Sequence, residues 1–251
     1  MRRLFQVSLL VLSGLGLVHA SLLSDLYLRY VKEGMRPFLI ASGFLLLLLG
    51  VAEAMSYRRP GGHDEPGEDH GPGDVDGHDH SGMPRVAWLL LLPALSLLLY
   101  APPALGAYTA AREAPRPVKE RNDFDPLPAT SPVPLTLTEF TSRVQQDRDL
   151  GIKGRSVLMT GFVTPAGGGG DWYLTRLVLN CCAADAQTVK VRIHGAAELP
   201  ADTWVSVTGT WHPGGTLGTR SAPVALDAHS VRKVPRPVNA YTDALPLPTT
   251  R

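Results

Sequence analysis

The sequence predicts an N-terminal α-helical membrane region of three spans joined to a C-terminal all-β domain, an OB-like five-stranded barrel. Three observations predict it. Residues 1–111 hold three long, almost uncharged apolar runs, residues 135–234 hold five short segments of alternating apolar and polar side chains, and a proline-rich stretch separates them. Whole-chain averages conceal this division: net charge is +1 and 44% of the 251 residues are hydrophobic.

The first run, residues 4–24, carries no formal charge over 21 residues. That length crosses ~30 Å of hydrocarbon at ~1.5 Å per residue. The same N-terminus, Met-Arg-Arg before a leucine-rich stretch with Val18-His19-Ala20, also fits a secretory signal cleaved after Ala20. The apolar run continues past that point, which favours a span. The second run, residues 37–57, has a single acid, Glu53. The third span is placed at 86–108, and Pro93 kinks it. His19 and Glu53 sit near span ends, where a polar head reaches the interface, so neither marks a transport path.

Arg2 and Arg3 favour a cytoplasmic N-terminus. Three spans then leave the 58–85 loop in the cytoplasm and the C-terminal domain outside it. Arg29, Lys32 and Arg36, with Arg112, Arg116, Lys119 and Arg121, weigh against this orientation. The expectation is a multi-pass protein of the cell membrane with an extracytoplasmic C-terminal domain.

Loop 58–85 contains His63, His70, His78 and His80, seven acids and eleven Gly or Pro. Nothing in it has apolar periodicity, so it reads as disordered until something binds. Imidazoles flanked by carboxylates suit zinc, copper or nickel, and glycines let the four histidines fold back on one ion. The bland alternative is a solvated acidic linker. Residues 112–134, with six prolines, read as an extended linker that holds the next domain away from the bilayer.

Residues 136–146 predict a short helix, because Thr136 and Glu139 have capping-box spacing and Phe140 and Val144 lie one turn apart. Strands follow at 154–163, with a bend or bulge at its glycine, and at 172–179, 188–194, 203–211 and within 222–234. Five short strands in about 80 residues suit an OB-type barrel, and a small β-sandwich is the alternative. The stretch 195–202 replaces the helix of that fold with a short turn. Residues 235–251 read as a disordered tail.

The chain's only cysteines, Cys181 and Cys182, are adjacent at the end of a strand. Neighbouring Cα atoms are ~3.8 Å apart, whereas a disulfide needs more than ~4.4 Å, so the pair is not a structural staple. Two readings stay open. Cys181 and Cys182, with Asp185 as an oxygen ligand, form a soft-metal or thiol site; or one thiol packs as a small apolar group and the other is half exposed. His194 and His212 are further ligands whose placement the sequence leaves open. No P-loop, nucleophile elbow, HExxH or dinucleotide fingerprint occurs, so no enzyme and no catalytic residue is expected. The adjacent spacing also differs from the Cys-x-x-Cys dithiol of oxidoreductases.

The combination "LLLLPALSLLLYAPPALG", then "TGFV…YLTRLVLNCCAADAQTVKVRI…WVSVTGTW", resembles the YcgQ family of poorly characterised bacterial membrane proteins. The most specific piece is Arg-x3-Asn followed by "CCAADA", strengthened by "WVSVTG". The resemblance implies the smaller half of a predicted two-part permease with a multi-span membrane partner, linked to zinc. It also implies that Cys181, Cys182 and Asp185 belong to the characteristic motif. The expected function is therefore an accessory permease subunit in the lipid bilayer that handles zinc or another soft metal. The alternative is a membrane-anchored OB-type ligand-binding module without a transport role. Residues 135–251 carry 12 Lys/Arg against 9 Asp/Glu, too little charge for a nucleic-acid partner.

Overall fold

A computed structural model describes residues 2–58, 104–115, 117–167 and 170–245. The loop histidines His63, His70, His78 and His80 and residues 86–103 of the expected third span lie outside these. Helix α1 (Arg2–Val18) continues through a π-helical turn (His19–Leu23), and α2 spans Arg36–Arg58. Two stretches are long and apolar enough to cross a membrane: Gln6–Leu23 with mean hydropathy 1.7, and Glu33–Ser56 with 2.2. The two helices pack side by side through glycines. A Cβ on Gly14 would lie 2.9 Å from the Gly43 carbonyl oxygen, and one on Gly50 would lie 2.8 Å from Val11 Cγ2. Small residues let backbones approach where no hydrophobic force drives helices together. Leu12, Leu15, Leu45 and Leu48 point away from the partner helix and stay exposed. At the closed end Arg36 Nε donates to the Ser21 carbonyl (2.8 Å), tying the start of α2 to the end of α1.

In the C-terminal region, helix α3 (Ala107–Arg112) precedes a two-residue strand β1 (Val133–Pro134) and helix α4 (Leu137–Gln146). Then come β2 (Ser156–Pro165), β3 (Trp172–Val178), β4 (Gln187–His194), β5 (Trp204–Trp211) and β6 (Ala225–Lys233). All six strands belong to one sheet ordered β1-β2-β3-β4-β6-β5, with β2 also paired to β5. The pairings run from β2 through β3, β4, β6 and β5 back to β2, antiparallel except for β4 with β6. The sixth strand beyond the five expected is β1, which pairs parallel with Val157 and Leu158.

Strand β2 serves two neighbours. Residues 156–162 pair with β5 and residues 162–165 with β3, so the strand changes partner beside Gly161. The glycine foreseen as a bend sits at this handover. Strict alternation on β4 sends Val191 and Ile193 inward and leaves Arg192 exposed. Their core partners include Phe140 and Val144 of α4, Met159, Trp172, Leu174, Val205, Val207 and Leu226. No helix occupies 195–202, as expected.

The N-terminus of α4 is capped from two directions. Thr136 Oγ1 accepts from the Glu139 amide (3.0 Å), the half of the capping box that forms. The Glu139 carboxylate turns instead to Arg143 and Arg121. Asp243 completes the cap, accepting from the amides of Leu137 (3.1 Å) and Thr138 (2.7 Å).

Three expectations need correction. The tail is not disordered over 235–245: Ala240 and Tyr241 are buried with Phe162, Leu177, Leu179 and Trp204, and Asp243 caps α4. The linker is not free extended chain over its second half; it lies along the domain. Arg143 donates to the Asp125 carbonyl (2.7 Å), Arg155 donates to the Pro128 carbonyl (2.6 Å), and Leu127 packs on the core. A proline lacks the backbone N–H but keeps its carbonyl, and that of Pro128 serves Arg155 here. The third span does not reach 108, because Ala107 is buried in the Tyr241 cluster and its amide donates to Asp202 (2.6 Å).

Candidate functional site

Strand β3 ends at Val178 and β4 starts at Gln187, so residues 179–186 must reverse the chain. Leu179 is buried and its amide donates to the Tyr241 carbonyl (3.2 Å), which fixes the entry. The turn is organised around one carboxylate. Asp185 accepts from the amides of Asn180 (3.0 Å), Cys181 (2.8 Å) and Cys182 (3.3 Å). A 3₁₀ turn over Ala183–Asp185 brings that carboxylate back beneath the cysteines. This Asp-centred loop explains why an acid belongs three residues after Cys182.

A second segment grips the loop from the side of the two apolar helices. Residues between α1 and α2 pair with it: Lys32 donates to the Cys181 carbonyl (3.0 Å), and Ala183 donates to the Tyr30 carbonyl (2.7 Å). Val31 and Cys182 face each other as an isolated antiparallel bridge. Asn239 Nδ2 also donates to Glu33 Oε2 (3.0 Å). The cysteine loop is therefore docked on the turn of the apolar helical hairpin.

Both cysteines are free; Cys181 is exposed and Cys182 half buried. Their sulfurs are 3.7 Å apart, too far for a bond. That separation suits joint coordination. Two thiolates at ~2.3 Å from a tetrahedral ion lie ~3.8 Å apart. Asp185 fits less simply as a third ligand, since both its oxygens already hold backbone amides. Among the described residues no cluster of three or more His, Cys, Asp or Glu could hold a metal ion. The pair supplies two soft ligands and leaves the remaining positions open.

The Asp185 carboxylate accepts from the Cys181 thiol, and Cys182 adds to the effect, so the Cys181 pKa is raised to about 11. The same thiol contact, then the backbone amides, holds the Asp185 carboxyl below its ordinary value. Cys181 is thus a protonated thiol at neutral pH, unlike the acidic nucleophile of a dithiol oxidoreductase. A thiolate fraction ~100-fold below that of a thiol two pKa units lower is partly offset by ~6-fold greater nucleophilicity. Iodoacetamide should therefore modify Cys181 about 15-fold more slowly at pH 8 than an ordinary exposed cysteine of pKa 9.0. Tandem mass spectrometry of timed samples reads this, and a rate equal to that of glutathione would show that Asp185 does not restrain the thiol.

His194 and His212 lie elsewhere. They meet at the far end of β4, with ring centroids 4.3 Å apart. The structure does not bring them to Cys181 and Cys182.

Two groups outside the expected set matter to the loop. Arg176 is buried in β3, donates to the Thr160 (2.7 Å) and Thr242 (3.2 Å) carbonyls, and stacks over Trp204. Its signal in the sequence was a lone arginine inside the apolar run Trp172–Leu179. Tyr241, which receives the Leu179 amide, lies in a stretch whose composition resembles a tail and gave no signal.

Residues 143–242 match the family model of the DUF1980 C-terminal domain, a family of poorly characterised proteins. The match takes in the last turn of α4, strands β2 to β6, the cysteine loop and the tail through Thr242. No curated protein and no solved structure matches the chain.

Proposed function

We propose that this protein is an accessory subunit of a two-part membrane permease, of the YcgQ type, and that it presents Cys181 and Cys182 to zinc or another soft metal ion. The observation that carries the reading is the paired thiols, 3.7 Å apart, on a loop docked against the turn between two apolar helices. A soft ion bound there sits beside the bilayer, where a transport partner works.

The circuit of pairings, with its one parallel contact between β4 and β6, is the strand order of an OB-type barrel. We read the domain as that fold. Chain geometry supports three spans. If α1 and α2 cross the bilayer, Arg58 lies opposite the turn that contacts the cysteine loop. The chain must cross again before Ala107, and the uncharged run beginning at Val86 is the segment fit to do so. With Arg2 and Arg3 cytoplasmic, the domain is extracytoplasmic.

This topology separates the two ligand sets. His63, His70, His78 and His80 face the cytoplasm and the cysteines face the other side, so they gather ions on opposite faces of the membrane. The open coordination positions at Cys181 and Cys182 fall to the multi-span partner.

Cobalt(II) titration of the reduced full-length chain in detergent, with its partner co-expressed, tests the reading. A thiolate-to-cobalt charge-transfer band should appear, vanish in Cys181→Ser/Cys182→Ser and survive replacement of the four loop histidines by Gln. Because binding releases the Cys181 proton, affinity should rise at least about tenfold per pH unit between pH 7 and 8. A spectrum without that band would leave the cysteines as packing groups at the hairpin contact.

A further inference from the structure

Opposite the cysteine loop, at the other end of β4, lies a cavity of about 830 Å³ between the proline-rich segment, α4 and the β5–β6 connection. That volume falls in the range of small-molecule sites, ~300–1,000 Å³. Five basic side chains line it, Lys190, Arg192, His194, His212 and Arg220, and no Asp or Glu does so among the described residues. Tyr173, Pro213 and Pro223 supply apolar wall.

The polar groups are oriented rather than loose. His194 Nδ1 contacts Asp171 Oδ1 at 3.1 Å, and His212 Nδ1 contacts Asp227 Oδ1 at 2.7 Å. A carboxylate only accepts, so each Nδ1 carries the proton and each Nε2 is left for a ligand. Lys190 Nζ donates to the Glu113 carbonyl (2.8 Å) and Arg192 to the Tyr173 hydroxyl (2.9 Å), both neutral partners. Asp171 is 3.9 Å from Arg192 and is shared with His194. Arg220 pairs with Glu120 at the exposed rim, an interaction of little strength. Asp171 and Asp227 stand behind the histidines and Glu120 at the rim, while the Glu113 carboxylate, which accepts from the Thr188 hydroxyl (2.7 Å), bears on Lys190 from outside the lining.

We infer that this cavity binds a small organic polyanion, a phosphate ester or diphosphate, held by Lys190, Arg192, His194 and His212 with its organic part against Tyr173 and the prolines. A phosphoryl group that carries a proton can donate it to a free Nε2, and the two cations supply fixed charge. A metal ion is the competing ligand for two free Nε2 atoms, but Lys190 and Arg192 oppose a divalent cation there. His194 lies ~23 Å along β4 from the loop that touches the helical hairpin and Lys190 ~10 Å, at ~3.3 Å per residue. A soluble anion is the ligand assigned, and phosphatidic-acid nanodiscs distinguish it from a lipid headgroup. The inference does not depend on the thiol reading.

Isothermal titration of the full chain with inorganic pyrophosphate tests it, first in detergent and then in nanodiscs containing phosphatidic acid. Saturable 1:1 binding is expected, at least tenfold weaker in Arg192→Gln/His194→Gln and unchanged in Cys181→Ser/Cys182→Ser. Thermal unfolding of each variant confirms that it is folded, and Lys190→Gln gives an independent loss if the double variant is not. Absence of saturable binding, or equal binding by both cavity variants, overturns the proposal. Binding of zinc chloride alone that requires His194 and His212, with pyrophosphate inert, replaces it with a metal site. Loss of pyrophosphate binding in phosphatidic-acid nanodiscs overturns the assignment to a soluble anion.

Discussion

Replacing Arg176 with methionine is expected to lower the stability of the C-terminal domain by about 3 kcal/mol and to release residues 235–245. Methionine fills most of the volume, so the loss is polar. The guanidinium serves the Thr160 carbonyl on β2 and the Thr242 carbonyl of the tail, at 2.7 and 3.2 Å. Leaving a buried acceptor unmet costs about 1–3 kcal/mol, and the contact with Trp204 adds about 1 kcal/mol. Relief of a buried charge offsets part of this; burial already pushes the Arg176 pKa below its ordinary value, with Asp243 opposing. At about 4–8 °C per kcal/mol, the melting temperature should fall by roughly 12–24 °C. Limited proteolysis should then cut within 235–245, because Arg176 ties that segment to the sheet. Arg176→Lys should recover only part of the loss, since an ammonium cannot reproduce the two-pronged geometry. A melting temperature within about 2 °C of the parent would show that the tail is held by Tyr241 and Asp243 alone.

Gly161→Val should be about as damaging, for a steric reason. A Cβ at this position would lie 2.6 Å from the Thr175 carbonyl oxygen and 3.0 Å from Leu174 Cδ1. The oxygen is main chain in β3 and cannot turn aside, because Thr175 pairs with Phe162 on one side and Lys190 on the other. Relief must come from opening β2 where it leaves β5 for β3. Overpacking of this kind costs about 1–3 kcal/mol, and the β-branched side chain places the expectation at the top of that range. Thermal unfolding should show a drop of about 12 °C or more. Gly34→Ala, where an added Cβ meets nothing within 4 Å, is the control and should change stability by no more than about 0.5 kcal/mol. Equal melting of the two variants would mean that β2 does not need close approach at its handover.

The sequence marked one of these two positions. A glycine inside an alternating segment announced a bend, but which carbonyl it makes room for depends on β3. Arg176 was not singled out as a buried cation, and its partners come from β2 and from the tail. The adjacent cysteines were visible at once as an unusual pair, and so was the nearby Asp185. Only the folded loop shows Asp185 spending its oxygens on three backbone amides and raising the neighbouring thiol. The carboxylate that reads as a ligand is therefore the frame of the turn.

The residues alone marked most elements in order: two of the three expected apolar spans, one capped short helix, and five alternating strands of a β domain, but not α3 or β1. These rest on side-chain periodicity and local caps, which act over a few residues and survive any global arrangement. Tertiary structure decided what those elements hold. Asp243 reaches the start of α4 across 106 residues, Asn239 reaches Glu33 across 206, and His194 of β4 meets His212, just past β5, with ring planes tilted by 35°. Such pairings follow from how the sheet returns β5 to β2 and from which carbonyls and amides remain unsatisfied at its ends, and neither is written in any local pattern.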